Sequence, residues 1–191
     1  MTRCAWAEQS PELREYHDAE WGFPVADDRR LFEKLCLESF QSGLSWRTIL
    51  SKRVNFRAAF AGFHVETVAR FGEDDVARLL ADAGIVRNRS KIEAIINNAR
   101  RCEELVEDEG SLAAFIWSYE PRSDELGEAQ AMTTSPASVA MAKELKARGW
   151  TFLGPTTIFA FMQSMGLLND HLRACATWPA VDRARAEFVR P

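Results

Sequence analysis

The sequence has few cysteines, few histidines and no long apolar run. Its 191 residues include 4 Cys and 3 His, and no stretch approaches the roughly 18 apolar residues of a membrane-spanning helix. The opening MTRCAWAEQS holds a single Arg with no apolar run behind it, which does not fit a secretory signal. These absences predict a cytoplasmic protein with no membrane partner, whose cysteines are reduced thiols or metal ligands rather than disulfides.

Runs of alternating polar and apolar residues, which are typical of strands, are also missing. Helix signals recur instead, such as Ser-Pro pairs that place an N-cap before a proline in the first turn. The sequence therefore predicts a compact all-α fold with a single domain over residues 1–191. Predicted helices begin at Ser10 and at Asp27 or Asp28, and others cover about 46–53, 55–61, 65–71, 74–82 and 89–107.

The formal net charge of -4 argues against a protein that coats nucleic acid, because nonspecific affinity comes mostly from Lys and Arg contacts to phosphate. A local DNA footprint stays open, since basic residues cluster twice along the chain. Each cluster is either part of such a footprint or an ordinary solvated helix face. The clusters are Arg87, Arg89 and Lys91, and Lys143, Lys146 and Arg148.

Two helices near the C-terminus are predicted to form a hairpin over about 136–166. Ser135-Pro136 opens the first helix and Gly154-Pro155 opens the second, and a glycine ends each of them. The free backbone N–H groups at the start of the second helix would attract an anion without the help of a lysine. The alternative is an ordinary αα-hairpin that binds nothing.

Two Cys and two His form a predicted metal centre. Cys4 and His17 lie near the N-terminus, whereas His171 and Cys175 lie near the C-terminus with helical i, i+4 spacing. That spacing puts both side chains on one face of a helix, within reach of a single ion. Four such ligands predict one structural zinc ion in tetrahedral geometry, a clip that ties 4–17 to 171–175. The alternative is that the four residues are unrelated.

Five segments of the sequence carry specific motifs. They are RCAW at 3–6, YHDAEWG at 16–22, LESFQSGLSW at 37–46, AGIVRNRSKI at 83–92 and FLGPTTIFAFMQSMGLLNDH at 152–171. Together they resemble the bacterial DNA-3-methyladenine glycosylase I family, and they span nearly the whole chain in order. The resemblance implies a DNA-repair enzyme of the helix-hairpin-helix superfamily, with the DNA-binding hairpin at 136–166 and zinc on the four Cys and His residues.

The resemblance also implies which residues form the base pocket. Glu38 would be the catalytic residue, and Tyr16, Trp46, Trp6 and Trp21 would bind the substrate. From the helical pattern alone, Glu38 falls at the edge of an apolar stripe, where a carboxylate faces either a cavity or water. Methylation at N3 makes the adenine cationic, so stacking between Trp46 and Tyr16 and the charge of Glu38 would favour it over neutral adenine.

An enzyme that acts on a base inside a duplex must rotate the nucleotide out and fill the gap that it leaves. We predict Leu44 as this wedge, because it follows Gly43 in a turn just before Trp46. The alternative is a leucine at a helix end that belongs to the core. Further DNA contacts are predicted at Gly154, Thr156 and Thr157.

One position departs from the wider superfamily, in which many members carry a catalytic Asp two residues before a His. This sequence has Asn169 before His171, and an amide cannot act as a general base. The neighbouring Asp170 is expected to cap the helix that bears His171. We therefore expect the leaving group and Glu38 to supply most of the rate, with a water that is placed rather than strongly activated. The sequence shows no Lys placed to form the Schiff base that a lyase would need.

Two other functions would use the same residues. A lesion-binding protein would keep the hairpin and pocket without cutting, whereas a nucleoside or RNA hydrolase would need neither wedge nor hairpin. The presence of Glu38, Tyr16 and Trp46 favours a monofunctional hydrolase. Its expected partner is double-stranded DNA containing alkylated adenine, and its expected state is a monomer.

Overall fold

The structure, a computed structural model that describes residues 2–191, is helical wherever it is regular, and the all-α prediction is confirmed there. Met1, at which the predicted domain begins, lies outside the described residues. Within 2–191, none of the helices has both the length and the apolar composition needed to cross a bilayer. The α-helices are α1 (Pro11–Ala19), α2 (Asp28–Gln41), α3 (Trp46–Ala59), α4 (Val65–Ala69), α5 (Glu73–Ala81), α6 (Arg89–Glu109), α7 (Leu112–Trp117), α8 (Pro136–Ala147), α9 (Pro155–Ser164) and α10 (Trp178–Glu187).

The helix starts follow from local side-chain chemistry. The Ser10 hydroxyl accepts a hydrogen bond from the Leu13 backbone N–H at the start of α1, and Asp27 accepts one from Arg30 at the start of α2. Such caps satisfy N–H groups that have no partner within the helix. The remaining helices with a side-chain cap of this kind begin after Ser45, Asn88, Ser111 and Ser135.

The core is built around α6, whose 21 residues make it the longest helix of the described chain. Its buried stripe comprises Ile92, Ile95, Ile96, Ala99, Cys102 and Leu105, as the apolar periodicity predicts. Phenylalanines of α2 and α3 fill the adjoining layer, with ring centroids of Phe40 and Phe56 4.7 Å apart. Cys36 and Cys102 are buried in this core, where a free thiol packs as a small apolar group.

Two details of the predicted helices are wrong. The helices expected at 46–53 and 55–61 are one continuous helix, α3, because no Gly or Pro interrupts it and Ile49 and Phe56 are buried on the same face. Helices α7 and α10 were not predicted, because α7 has six residues that are all apolar and α10 buries one apolar residue, Val181, so neither shows a periodic stripe. The segment 120–134 is a largely exposed connection with one 3-10 turn, Ser123–Glu125.

Helix α6 also fixes the connection between α8 and α9. The amide of Asn98 is buried, donates to the carbonyl of Thr151 over 2.9 Å and accepts from the N–H of the same residue over 2.9 Å. The neighbouring Asn97 donates to the carbonyl of Gly149 over 2.9 Å and to Oδ1 of Asn98 over 3.2 Å. One buried amide therefore pairs with both the backbone N–H and the backbone carbonyl of a residue that lies outside the helices. These two bonds hold the connection between α8 and α9 against the core.

Replacing Asn98 with Ala should lower the free energy of unfolding by about 1–3 kcal/mol, because it removes both hydrogen bonds between a buried amide and the backbone of Thr151. Urea denaturation measures this loss. Asn55→Ala is the matched control, since the exposed Asn55 amide donates only to the carbonyl of Gly84 among the described residues and its loss should cost less than about 1 kcal/mol. Equal losses in the two variants would contradict the role assigned to Asn98.

Candidate functional site

A cavity of about 270 Å³ opens between the N-terminal segment, the ends of α1 and α2, the start of α3 and one face of α9. It has an aromatic wall, one buried carboxylate and a polar rim. This mixture of apolar lining and few polar groups is typical of a small-molecule site. The lining residues are Trp6, Gln9, Leu13, Tyr16, Trp21, Glu38, Gln41, Ser45, Trp46, Arg47, Ala160 and Gln163. All five predicted pocket residues are therefore brought together.

The aromatic wall consists of four rings that contact one another. Trp6 meets Trp21 edge-on with ring centroids 5.1 Å apart, and Tyr16 lies 5.3 Å from Trp46 in a tilted arrangement. Because Tyr16 and Trp46 touch, no gap remains between their rings for a purine. Stacking of a base between these two rings would therefore require the rings to move apart, and it stays a prediction.

The carboxylate of Glu38 lies inside the protein, with only 5% of the residue exposed. The alternative in which it extends to water is therefore excluded. Its partner is Lys34, one helical turn earlier in α2, whose Nζ lies 3.1 Å from Glu38 Oε1. Lys34 was not predicted from the sequence, although its i, i+4 spacing from Glu38 on a partly apolar helix face indicates an ion pair that is buried with that face.

The Lys34 ammonium contacts three residues of the site at once. Besides the ion pair with Glu38, Nζ donates a hydrogen bond of 2.6 Å to the hydroxyl of Tyr16 and lies 3.4 Å from the ring centroid of Trp46. Burial lowers the pKa of Lys34 to about 8, although the charge of Glu38 favours the ammonium form. Lys34 is thus buried with partners but is held less firmly in its charged form than a lysine at the surface.

The turn between α2 and α3 presents Leu44 to solvent. Leu44 is 42% exposed, so the alternative of a core leucine is excluded. Gly43 has a φ of 79° and its surroundings are open, a left-handed conformation that glycine adopts without strain. Lys91 of α6 donates to the carbonyl of Phe40 over 2.8 Å. This bond holds the C-terminal end of α2, which precedes the turn, in place.

The start of α9 is exposed and lacks a side-chain cap. Gly154 is its N-cap, Pro155 its first residue, and no side-chain hydrogen bond closes this end. Thr156 is exposed and Thr157 is half-buried, so the first backbone N–H groups face outwards with the positive end of the helix dipole. The preceding Phe152, 45% exposed, has a φ of 58°, a backbone conformation that few bulky residues adopt.

The four predicted metal ligands converge, although the two ends of the chain supply them. Their ligand atoms lie within 4.8 Å of one another and all four residues are buried. Nδ1 of His171 is 3.1 Å from Nε2 of His17 and 3.9 Å from Sγ of Cys4, and Sγ of Cys175 is 3.5 Å from His17 Nε2. Ligands of a tetrahedral zinc ion are separated by roughly 3.3–3.8 Å, and these three separations lie close to that range.

The outer nitrogen of each histidine fixes its tautomer. His17 Nδ1 lies 2.8 Å from Asp18 Oδ1, and His171 Nε2 lies 3.0 Å from the carbonyl oxygen of Trp21. Each of these nitrogens must donate, because its partner is an acceptor. The inner nitrogen of each ring then carries a lone pair that faces the other ring and the two sulfur atoms. This arrangement is typical of a cation site rather than of a hydrogen-bonded cluster.

Burial favours the neutral forms of His171 and Cys4. It lowers the pKa of His171 to about 4 and raises the pKa of the Cys4 thiol. A neutral imidazole is the form that binds a metal, whereas a buried thiol loses its proton readily only beside a positive ion. The donor set therefore fits a divalent cation.

Two expectations about this region are wrong. His171 and Cys175 do not lie on a helix but in consecutive turns between α9 and α10, so a compact turn rather than a helical face brings them together. Asp170 therefore caps no helix. Its carboxylate accepts from the backbone N–H of Gln130 and, over 2.6 Å, from Nε2 of Gln163, which connects the turn beside the metal cluster to a residue of the cavity wall.

Comparisons with known proteins agree with these features. The family model described as methyladenine glycosylase matches residues 6–178. The chain is 44% identical over 183 residues to DNA-3-methyladenine glycosylase 1 of Escherichia coli K12, covering 94% of this chain and 98% of that protein. It is 40% identical over 178 residues to the DNA-3-methyladenine glycosylase of Haemophilus influenzae, covering 91% of this chain and 96% of that protein.

A solved structure agrees over the whole fold. It concerns 3-methyladenine recognition by 3-methyladenine DNA glycosylase I from Staphylococcus aureus, and it superposes with a TM-score of 0.88 at 37% identity, covering 94% of this chain and 97% of that one. The similarity extends over almost the full length of both chains, and the family match at residues 6–178 includes the cavity residues together with His17, His171 and Cys175. This chain belongs to the methyladenine glycosylase family.

Proposed function

We propose that this chain is a DNA glycosylase that excises 3-methyladenine from alkylated DNA by hydrolysing the N-glycosidic bond. The observation that carries the proposal is the buried carboxylate of Glu38 in a cavity walled by aromatic rings, in a chain of this family. Relatives that cover almost the whole chain are DNA-3-methyladenine glycosylases. The cavity is open to the surface but has a volume of only about 270 Å³. A base therefore has to rotate out of the double helix to enter it.

Recognition follows from charge. Methylation at N3 gives the adenine ring a positive charge, which the π faces of Trp46 and Tyr16 and the carboxylate of Glu38 attract more strongly than a neutral ring. Among the described residues, the buried Nε1 of Trp46 has no hydrogen-bond partner, so a donor is available for an acceptor on the base. Glu38 would accept from the amino group of the adenine.

Bond cleavage then needs little help. The C1′–N9 bond breaks, its electron pair moves into the purine and neutralises the ring, and water adds to C1′ and loses a proton. Asn169 is not available as a base, because its amide donates to the carbonyl of Trp178 and accepts from the N–H of His171. Asp170 is bound to Gln130 and Gln163. The water is therefore placed rather than strongly activated. No lysine is among the residues that line the cavity, which supports a monofunctional hydrolase without lyase activity.

The exposed elements beside the cavity form the DNA-binding surface of the proposal. Residues 136–166 are the helix-hairpin-helix motif, and Gly154, Thr156 and Thr157 offer backbone N–H groups to a phosphate at the start of α9. Leu44, with Gly43, enters the space that the everted nucleotide leaves. The partner is double-stranded DNA containing alkylated adenine, and the protein acts in the cytoplasm as a monomer with a single domain over 1–191.

A structural zinc ion on Cys4, His17, His171 and Cys175 completes the proposal. The separations of the ligand atoms and the inward lone pairs of both histidines support it. Four protein ligands leave no open position, so the ion would hold the ends of the chain together and take no part in the reaction. Trp21 packs against His171 with ring centroids 4.6 Å apart, which ties this cluster to the cavity wall.

The enzyme should release free 3-methyladenine from methylated duplex DNA, detected by chromatography. Glu38→Gln should reduce kcat about a hundredfold or more, because it removes the charge that opposes the cationic base while DNA affinity is retained. Glu15→Gln is the matched control, since Glu15 is exposed on α1. DNA binding without any release by the wild-type protein would instead support the rival function of a non-catalytic lesion-binding protein.

Leu44→Ala should reduce excision from duplex DNA by about tenfold, because the gap left by the base is no longer filled. The same variant should act normally on a single-stranded methylated oligonucleotide, in which no stacking gap has to be filled. Val54→Ala is the control, since Val54 is an exposed apolar residue on α3. A loss of equal size on both substrates would show that Leu44 is not the wedge.

Elemental analysis should find about one zinc ion per chain. Cys175→Ser should lower both the zinc content and the melting temperature, since it removes a ligand of an ion whose binding contributes to folding. Cys36→Ala should retain the zinc, because Cys36 is a core thiol. A Cys175→Ser variant that melts like the wild type without metal would rule out the clip.

A further inference from the structure

Lys34 lies behind the aromatic wall rather than in the main cavity. It is absent from the lining of the cavity of about 270 Å³ but lines a second cavity of about 30 Å³ on the other side. Tyr16 and Trp46 line both cavities and so separate them. A base in the main cavity would be divided from the Lys34 ammonium by little more than the thickness of an aromatic ring.

The positive charge of Lys34 compensates the negative charge of Glu38. The Lys34 ammonium pairs with Glu38 over 3.1 Å, so the carboxylate that should attract a cationic base is already neutralised. Nζ is also 3.4 Å from the Trp46 ring centroid, which means that a cation already polarises the ring on which the base would stack. A second cation near the same ring and carboxylate is repelled by the first, and burial strengthens the repulsion.

We propose that Lys34 determines the charge specificity of the pocket: its ammonium balances Glu38 when no base is bound, and the pocket binds a cationic purine tightly only when Lys34 is neutral. The inference rests on the proposed function in one respect, namely that the cavity receives the cationic base. It assigns to Lys34 the role of a specificity-determining residue that does not touch the substrate.

Lys34 is able to change its charge near neutral pH. Burial lowers its pKa to about 8, so it is mostly an ammonium ion below that pH and mostly a neutral amine above it. The approach of a cationic base lowers the pKa further and favours release of the proton. Affinity for a cation should therefore rise with pH, while affinity for a neutral base should not change.

The groups around Lys34 make it the natural site of this titration. Glu38 and Glu20 favour the ammonium form and Arg53 opposes it. Arg53 itself forms an ion pair with Glu20, with Nη1 2.6 Å from Oε2, so these two charges largely cancel. The titratable and charged residues around the small cavity are Tyr16, Glu20, Arg30, Glu33, Arg53 and Arg57.

Two small ligands isolate the effect of charge. The 3,9-dimethyladeninium ion is permanently cationic over this pH range, and 9-methyladenine is its neutral counterpart with almost the same shape. Isothermal titration calorimetry should show that the dissociation constant of the cation falls roughly tenfold between about pH 7 and pH 9 in the wild-type protein, because the neutral fraction of Lys34 rises by that factor. The dissociation constant of 9-methyladenine should stay constant.

Three variants at position 34 test the assignment. Lys34→Met should bind the cation tightly at both pH values, whereas Lys34→Arg keeps a charge that does not titrate and should bind it weakly at both. Lys34→Gln repeats the neutral case if the methionine variant does not fold. A pH dependence that persists in Lys34→Met, an equal shift for 9-methyladenine, or no binding of the cation at pH 9 would each overturn the proposal.

The binding measurements are separate from the test of the enzyme. If the pH shift appears and depends on Lys34 while methylated DNA is not cut, the proposed function fails and the charge specificity stands. If DNA is cut but the affinity for the cation does not depend on Lys34, the further inference fails and the glycosylase function stands.

Discussion

The site depends on the burial of one carboxylate. An ionised Glu38 with 5% of its surface exposed is stable only beside a positive charge, since removing a lone charge from water costs several kcal/mol. In the free protein that charge is Lys34. A cationic base would offer a second one, so the pocket exchanges an internal cation for an external one. Helix α2 carries both residues and ends in the turn of Leu44, so one helix positions the charge pair and the exposed leucine.

The Cys and His cluster lies where the two chain segments that form the cavity meet. Cys4 and His17 belong to the segment that supplies Trp6 and Tyr16, while His171 follows α9, which supplies Ala160 and Gln163. A cation held by these four side chains would lock the two sides of the cavity together across the whole length of the chain. Asp170 accepts a hydrogen bond from Gln163, so the turn that carries His171 also orients a side chain of the cavity.

The sequence was sufficient for the features that depend on local chemistry. N-caps such as Ser10 and Asp27 and the periodic stripe of α6 predicted the helices, because these signals act within a few residues. Spacing alone left open whether the two Cys and two His residues at the chain ends are related. The family resemblance joined them into one set, and the structure brings that set together.

Features that depend on long-range packing could not be read from the sequence. In the sequence, Lys34 and Glu38 have the spacing of an ordinary ion pair on an exposed helix face. The pair is buried because α1 and α3 pack over it. His171 and Cys175 have helical spacing, yet they lie in turns because the chain must leave α9 to reach the other two ligands. The contact between Tyr16 and Trp46 also follows from the packing of two separate helices.

The central claim is that an everted cationic base lies in the aromatic cavity with its amino group at Glu38. The most direct measurement is a crystal structure of the protein with 3-methyladenine, refined to a resolution that defines the plane and orientation of the purine. The account predicts the ring against the cavity side of Trp46, with its amino nitrogen within hydrogen-bond distance of the Glu38 carboxylate. A purine bound elsewhere, or bound in the cavity with its amino group away from Glu38, would contradict it.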